Sequence, residues 1–197
     1  MATIEHLIRF SELLERLRTV ERTILAPGKD RSENDVEHSY MLAMLAWYII
    51  SAERLTLDVS KALMYCLAHD LVEAYAGDTY FLKNSPEEKS EKRRKEHEAF
   101  ERIKSEFPDF PDLIHSIEAY EGRVDDESKF VYALDKLQPV LAIYLDRGRS
   151  FHKFDLSFDE LIANKKGKFD YFPVVETYWQ QFIEILAKNK SELFPRP

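Results

Sequence analysis

The chain has 197 residues, 45% of them hydrophobic and 13% aromatic, which is too apolar for a disordered segment and enough to pack one domain core. Its net charge of −8 excludes a broadly basic nucleic-acid surface, so a phosphate ester bound here needs a local cation. The single cysteine, Cys66, excludes an internal disulfide, and only five glycines and eight prolines favour helices over a many-turned β fold.

In chain order, Ile4, Leu7, Ile8, Leu14 and Leu17 recur at three- and four-residue steps and predict a first amphipathic helix. The sequence MATIEHLIRF places charge where a signal peptide has its apolar stretch. Residues 26–30, with Pro27 and Gly28, break the pattern. A second helix is expected over 36–55, with few polar residues at its middle and burial on several sides. Residues 41–50 are the longest apolar run and fall short of the ~20 needed to span a bilayer, so the expected location is the cytoplasm. Asp58 can cap a third helix running to about residue 75, where Gly77 stops it. Ser85, Pro86 and Glu88 form a capping box with proline at the first helical position. The charged helix that follows ends near Phe107, and Pro108 and Pro111 punctuate the chain before a short helix to Tyr120. A helix over 126–146 carries Pro139 inside it. Ser157 and Glu160 make another capping box, a last helix covers 174–188, and the tail from Phe194 reads as irregular.

Three places put metal-binding residue types inside apolar helices: Glu37-His38-Ser39, Ala68-His69-Asp70 and Ala133-Leu134-Asp135-Lys136-Leu137. A carboxylate is almost never fully buried unless it is paired or bound to a metal. Two imidazoles and two carboxylates from separate helices suit a divalent ion: imidazole favours zinc, iron, cobalt or nickel, and carboxylates admit manganese and magnesium. Glu73 follows His69 by four residues and Asp70 by three, which on a continuous helix places all three on one face.

His38, then His69-Asp70, then Asp135 resembles the HD-domain superfamily of metal-dependent phosphohydrolases. Arg31-Ser32-Glu33-Asn34-Asp35-Val36-Glu37-His38-Ser39 is similar to the R-x-E-N-x-x-E-H-S segment of its 5′-deoxynucleotidase branch. His69-Asp70-Leu71-Val72-Glu73 with Gly77-Asp78 resembles that branch's H-D-x-x-E-x-x-x-G-D. The resemblance implies an all-α helical bundle and a single domain over 1–197, with its core at about 13–145 and C-terminal helices at 155–188. It implies one divalent ion held by His38, His69, Asp70 and Asp135, and Glu73 as the catalytic residue. Arg22 would bind the phosphate and Asp78 the sugar hydroxyl. The implied reaction is hydrolysis of a nucleoside 5′-monophosphate in a homodimer. Thr23 stands where the deoxynucleotidases carry a tryptophan that helps reject a 2′-hydroxyl, which leaves the sugar preference open. Two other readings are a phosphodiesterase or nucleotide pyrophosphohydrolase of the same superfamily, and a non-enzymatic, metal-containing nucleotide-binding module. Glu73 argues against the last, because a structural metal has no use for an extra carboxylate at an open position.

The alternating charges of residues 87–98, with Glu88–Lys92 and Glu91–Lys95 at i,i+4 spacing, read as a solvated helix face. Cys66 reads as a small core residue, and His6, His97, His115 and His152 as surface or structural.

Overall fold

Apolar periodicity of three to four residues is realised as helix along most of the chain. A computed structural model describes residues 3–78 and 86–195. Among these residues, helices α1 (Ile4–Arg18), α2 (Asp35–Ala52), α3 (Val59–Ala68), α4 (Glu73–Ala76), α5 (Pro86–Glu106) and α6 (Pro111–Gly122) are followed by α7 (Asp126–Leu145), α8 (Arg149–Lys153), α9 (Phe158–Lys165), α10 (Pro173–Lys188) and α11 (Lys190–Leu193). Strands β1 (Glu21–Leu25) and β2 (Ser32–Asn34) pair antiparallel between α1 and α2. No helix among the described residues is long and apolar enough to cross a membrane.

The helix starts are chemically defined. Asn34 accepts from the Glu37 amide while the Glu37 side chain reaches back, Asp58 accepts from the Lys61 amide, and Ser157 with Glu160 closes the expected box. Each such cap satisfies amides that the first helical turn leaves unpaired, worth about 1 kcal/mol. The expected box at Ser85 lies outside the described residues. Among the described residues of α5, Arg94 pairs with Glu91 and Glu98, Lys92 with Glu96 and Arg102 with Glu106, so the charged face is laced with ion pairs as expected.

Two apolar clusters hold the elements together. In the larger, α2, α3 and α7 bury Leu42, Ala46, Tyr65, Phe130 and Leu134 against Val175 and Leu186 of α10. In the smaller, α1, α5 and α6 meet through Leu13, Leu17, Ile103, Phe107 and Ile117. Cys66 is a buried free thiol in the first cluster. The candidate site lies where α2, α3 and α7 face one another.

Three features depart from the sequence expectations. The third helix stops at Ala68 instead of running to about residue 75. Past it, the Leu71, Glu73 and Ala74 amides bond three residues back, to Ala68, Asp70 and Leu71. The path tightens there, and Glu73 begins the separate one-turn helix α4. The hairpin β1–β2 was not anticipated. It is short, and its register is irregular: Glu21 pairs with Asn34 and Leu25 with Ser32, so β1 carries extra residues between the two pairs. Finally, the short helix α11 was not expected ahead of the tail; Phe194 and Pro195 lie outside regular structure as expected, but Phe194 is buried and stacks on Phe151 of α8 at 4.5 Å between ring centres.

Gly148, between α7 and α8, ties that tail down. Its φ is +74°, and a Cβ built on it would lie 2.0 Å from the Leu193 carbonyl oxygen. Backbone on both sides leaves no flexible atom to yield. Gly148→Ala is expected to destabilise the protein by about 3 kcal/mol, read as a Tm lower by roughly 6–12 °C in thermal unfolding. An unchanged Tm would show that α11 does not pack on this turn.

Candidate metal centre and substrate cavity

His38 lies one turn into α2, Asp135 near the middle of α7 and His69 at the C-cap of α3. All three side chains are buried and offer ligand atoms within 4.8 Å of one another. His38 Nε2 is 3.0 Å from Asp135 Oδ1 and 3.2 Å from His69 Nε2. Asp70 Oδ2 approaches the same point, 3.1 Å from His69 Nε2 and 3.8 Å from His38 Nε2. Two ring nitrogens and two carboxylate oxygens thus converge from three elements.

The local fold orients both rings through their other nitrogens. Because α3 ends at Ala68, the Cys66 carbonyl has no helical amide partner. It accepts from His69 Nδ1 at 2.9 Å. His38 Nδ1 donates to Gln138 Oε1 at 2.8 Å. With both Nδ1 atoms carrying hydrogen, both Nε2 lone pairs point inward, the arrangement a metal-binding histidine uses.

Electrostatics follow from crowding carboxylates with a single arginine. Arg22, on β1, donates from Nη1 to Asp35 Oδ1 and Asp70 Oδ2, each at 2.9 Å, and its side chain is only 15% exposed. The irregular stretch of β1 turns Arg22, Thr23 and Ile24 all toward one cavity, where a regular strand would alternate them. Burial disfavours charge on Asp70, but His69 and Arg22 outweigh it and hold the carboxyl well below its usual range. Burial lowers the His38 ring, and the Arg22 charge adds to this, so the ring is a neutral donor. Burial also opposes protonation of His69, yet Asp70 and Asp135 raise it; a proton and a cation compete for that nitrogen. Glu73 is pushed up to about 11, first by burial and then by Asp70, Asp35 and Asp78. Asp35 rises to about 6 through burial and the Asp70 charge, against the pull of Arg22.

Asp35 Oδ2 and Glu73 Oε2 are buried without a hydrogen-bond donor, and with Asp70 they form another group able to face a cation. The donor set of two neutral imidazoles and carboxylates fits a divalent ion of the zinc-to-manganese series. It is fully buried on its protein side and opens into a cavity of about 270 Å³ that reaches Arg22, Thr23, Glu73, Asp78 and the lysines 136, 165 and 168. Asp78 therefore lines the space that the candidate ligands Asp70 and Asp135 border, as does Glu73, although α4 and not a continuous helix carries the latter.

Several groups at the site were not singled out from sequence. Asp35 precedes His38 by three residues and Gln138 follows Asp135 by three, so helical spacing placed both beside a ligand. Lys165 has no such local signal; it arrives from α9 and donates to the Lys136 carbonyl at 2.7 Å. The histidines outside the three motifs stay away from the centre: His6 pairs with Asp109, His152 with the Glu192 carbonyl, and His97 and His115 are exposed.

Gln138→Ala removes the acceptor that holds His38 Nδ1–H. The expected loss of affinity for a divalent ion is about 10- to 100-fold, measured by competition with a chromogenic chelator. Unchanged affinity would mean that His38 is not a ligand.

The HD domain family matches residues 14–175. Among solved structures, a predicted metal-dependent phosphohydrolase from Magnetospirillum magnetotacticum MS-1 superposes with a TM-score of 0.81 at 22% identity, covering 98% of both chains. A conserved hypothetical protein from Pyrococcus furiosus gives a TM-score of 0.62 at 20% identity over 94% of this chain and 99% of that one. A Pyrococcus horikoshii OT3 protein gives 0.58 at 20% identity over 95% and 100%. No curated protein matches the sequence significantly. These likenesses share the fold, and the family match extends across all four candidate ligands: the chain belongs to the HD-domain family.

Proposed function

We propose that the protein is a phosphomonoesterase that hydrolyses nucleoside 5′-monophosphates to nucleoside and phosphate, using one divalent ion held by His38, His69, Asp70 and Asp135. One observation carries this reading. Asp70 and Asp135, whose carboxylate oxygens converge on the His38 and His69 Nε2 atoms, line a cavity that is also lined by Arg22 and by Glu73, a carboxyl of strongly altered acidity. The Magnetospirillum protein described as a predicted metal-dependent phosphohydrolase supports the same chemistry.

When bound, a divalent ion supplies Lewis-acid polarisation of a phosphoryl oxygen and lowers the pKa of water. The Arg22 guanidinium, held by Asp35 and Asp70, presents donors to the phosphoryl oxygens. Glu73 is the proton carrier. Its neutral form donates to the leaving 5′ oxygen, and its carboxylate accepts from the attacking water. Asp70 and Asp35 make the proton hard to lose from Glu73 and easy to take up. Asp78, at the cavity edge, accepts from the sugar hydroxyl. Thr23 lines the cavity with a small side chain, so a ribose 2′-hydroxyl meets no tryptophan there, and both ribo- and deoxyribonucleotides are substrates in this reading.

Phosphate release from a panel of ribo- and deoxyribonucleoside monophosphates, with cobalt, manganese, zinc or magnesium, tests the reaction. A cyclic dinucleotide and a nucleoside triphosphate serve as controls. Turnover confined to monophosphates supports the proposal; turnover of only the diester or triphosphate moves the chain to another reaction of the same site. Asp70→Ala is expected to lose metal and turnover together. Glu73→Gln is expected to keep the metal, measured by elemental analysis, and to lose at least about 100-fold in kcat. Wild-type turnover in Glu73→Gln would remove Glu73 from the chemistry.

The proposal includes a homodimer. Tyr40, Met44, Trp47 and Tyr48 lie on one face of α2 and are 61%, 45%, 53% and 68% exposed, a contiguous apolar stripe of the kind a second copy covers. Trp47→Glu is expected to convert a dimer to a monomer in sedimentation velocity; a wild-type monomer would end this part of the reading.

A further inference from the structure

The protein is acidic overall, yet the cavity gathers cations on the side away from β1. Lys165 ends α9 and Lys168 follows three residues later; both line the cavity with Lys136 and Asn164. Lys165 is only 6% exposed, and its ammonium is held against the Lys136 carbonyl. Burying an ammonium is unfavourable, and placing it near other cations adds to the cost. Burial first, and then the charges of Lys136, Lys168 and Arg22, push Lys165 down to about 7, while Asp135 acts in the opposite direction. The carbonyl explains how Lys165 is held. It does not explain why Lys168 and Lys136 face the same space.

An anion in the cavity offsets the charges of Lys165 and Lys168 together. The reacting phosphoryl does not account for them. In the reading proposed above it lies against Arg22 and the ion, with Lys136 already paired to Asp135 at 2.5 Å. The lysines of α9 come from a different element, and that wall continues into Leu161 and Phe154, apolar surface suited to the body of a substrate.

We propose that Lys165 and Lys168, assisted by Asn164, form a second anion subsite that selects phosphate esters carrying a further phosphate on the part that leaves. This rests on the metal centre being the phosphoryl end of the cavity. The substrate class is then a bisphosphorylated small molecule, of which a nucleoside 3′,5′-bisphosphate is the nearest probe to the monophosphates above.

The test compares adenosine 5′-monophosphate with adenosine 3′,5′-bisphosphate on the metal-loaded protein. The expected kcat/KM ratio favours the bisphosphate by about tenfold, and Lys168→Ala brings that ratio to about one. Lys165→Met does the same if it folds, as judged by circular dichroism; Lys168, which is half-exposed, keeps the test independent of that variant. Equal kcat/KM for the two substrates overturns the proposal, as does a ratio that Lys168→Ala leaves unchanged. Calorimetric binding of both nucleotides to metal-loaded Glu73→Gln separates this inference from the reaction. Tighter bisphosphate binding that Lys168→Ala abolishes supports the subsite even where neither nucleotide is hydrolysed. Equal binding of the two overturns it whatever the activity.

Discussion

Five carboxyl groups, those of Glu33, Asp35, Asp70, Glu73 and Asp135, share a buried space with one arginine, and the site depends on how that repulsion is contained. Arg22 reaches three of them, bonding Asp35 and Asp70 and lying 3.5 Å from Glu33. Lys136 pairs with Asp135. Glu73 and Glu33 are met another way: burial raises both, Glu33 to about 7 and Glu73 to about 11, so the neutral form relieves the charge. Such crowding stabilises nothing by itself. It is tolerated where a cation is to be held, and the Nε2 atoms of His38 and His69 supply the remaining ligands without adding negative charge.

The elements that deliver these groups are each slightly irregular, and the irregularities have a common effect. Ending α3 at Ala68 frees the carbonyl that orients His69 and lets Asp70 turn toward Arg22. The uneven register of β1 brings Arg22 and Thr23 to the same cavity. Regular helices and a regular hairpin would have spread these side chains around their axes. Local departures from ideal geometry concentrate at the site, as they do where function competes with packing.

The helical class and most helix limits were legible because apolar spacing and capping residues are local signals. Asp58 and Ser157 cap where their sequence says they should. The candidate ligands were legible for a related reason: charged or ionisable residues inside apolar runs are conspicuous. What escaped was non-local. The β hairpin has too few residues for a period-two pattern, and its register is broken where that pattern would have formed. The stop at Ala68 is invisible in a stretch whose apolar residues continue through Leu71 and Val72. Lys165 looks like any lysine near the end of a charged helix; its burial exists only because α9 packs against α7, 29 residues earlier in the chain at Lys136. Arg22 was placed near the phosphate by family resemblance alone, and its contact with Asp70 spans 48 residues.

Phe151 belongs to two environments at once. One side of α8 lines the cavity, and the ring itself stacks on Phe194 just beyond α11. A molecule that fills the cavity against Phe151 therefore restrains the same ring that anchors the C-terminal segment. Thermodynamic reciprocity then makes any effect of that segment's docking on cavity occupancy equal to the effect of occupancy on docking. Phe194, remote from every candidate ligand in sequence, is in this way the point where α11 meets whatever the cavity accepts, and resistance of α11 to proteolysis reports on occupancy.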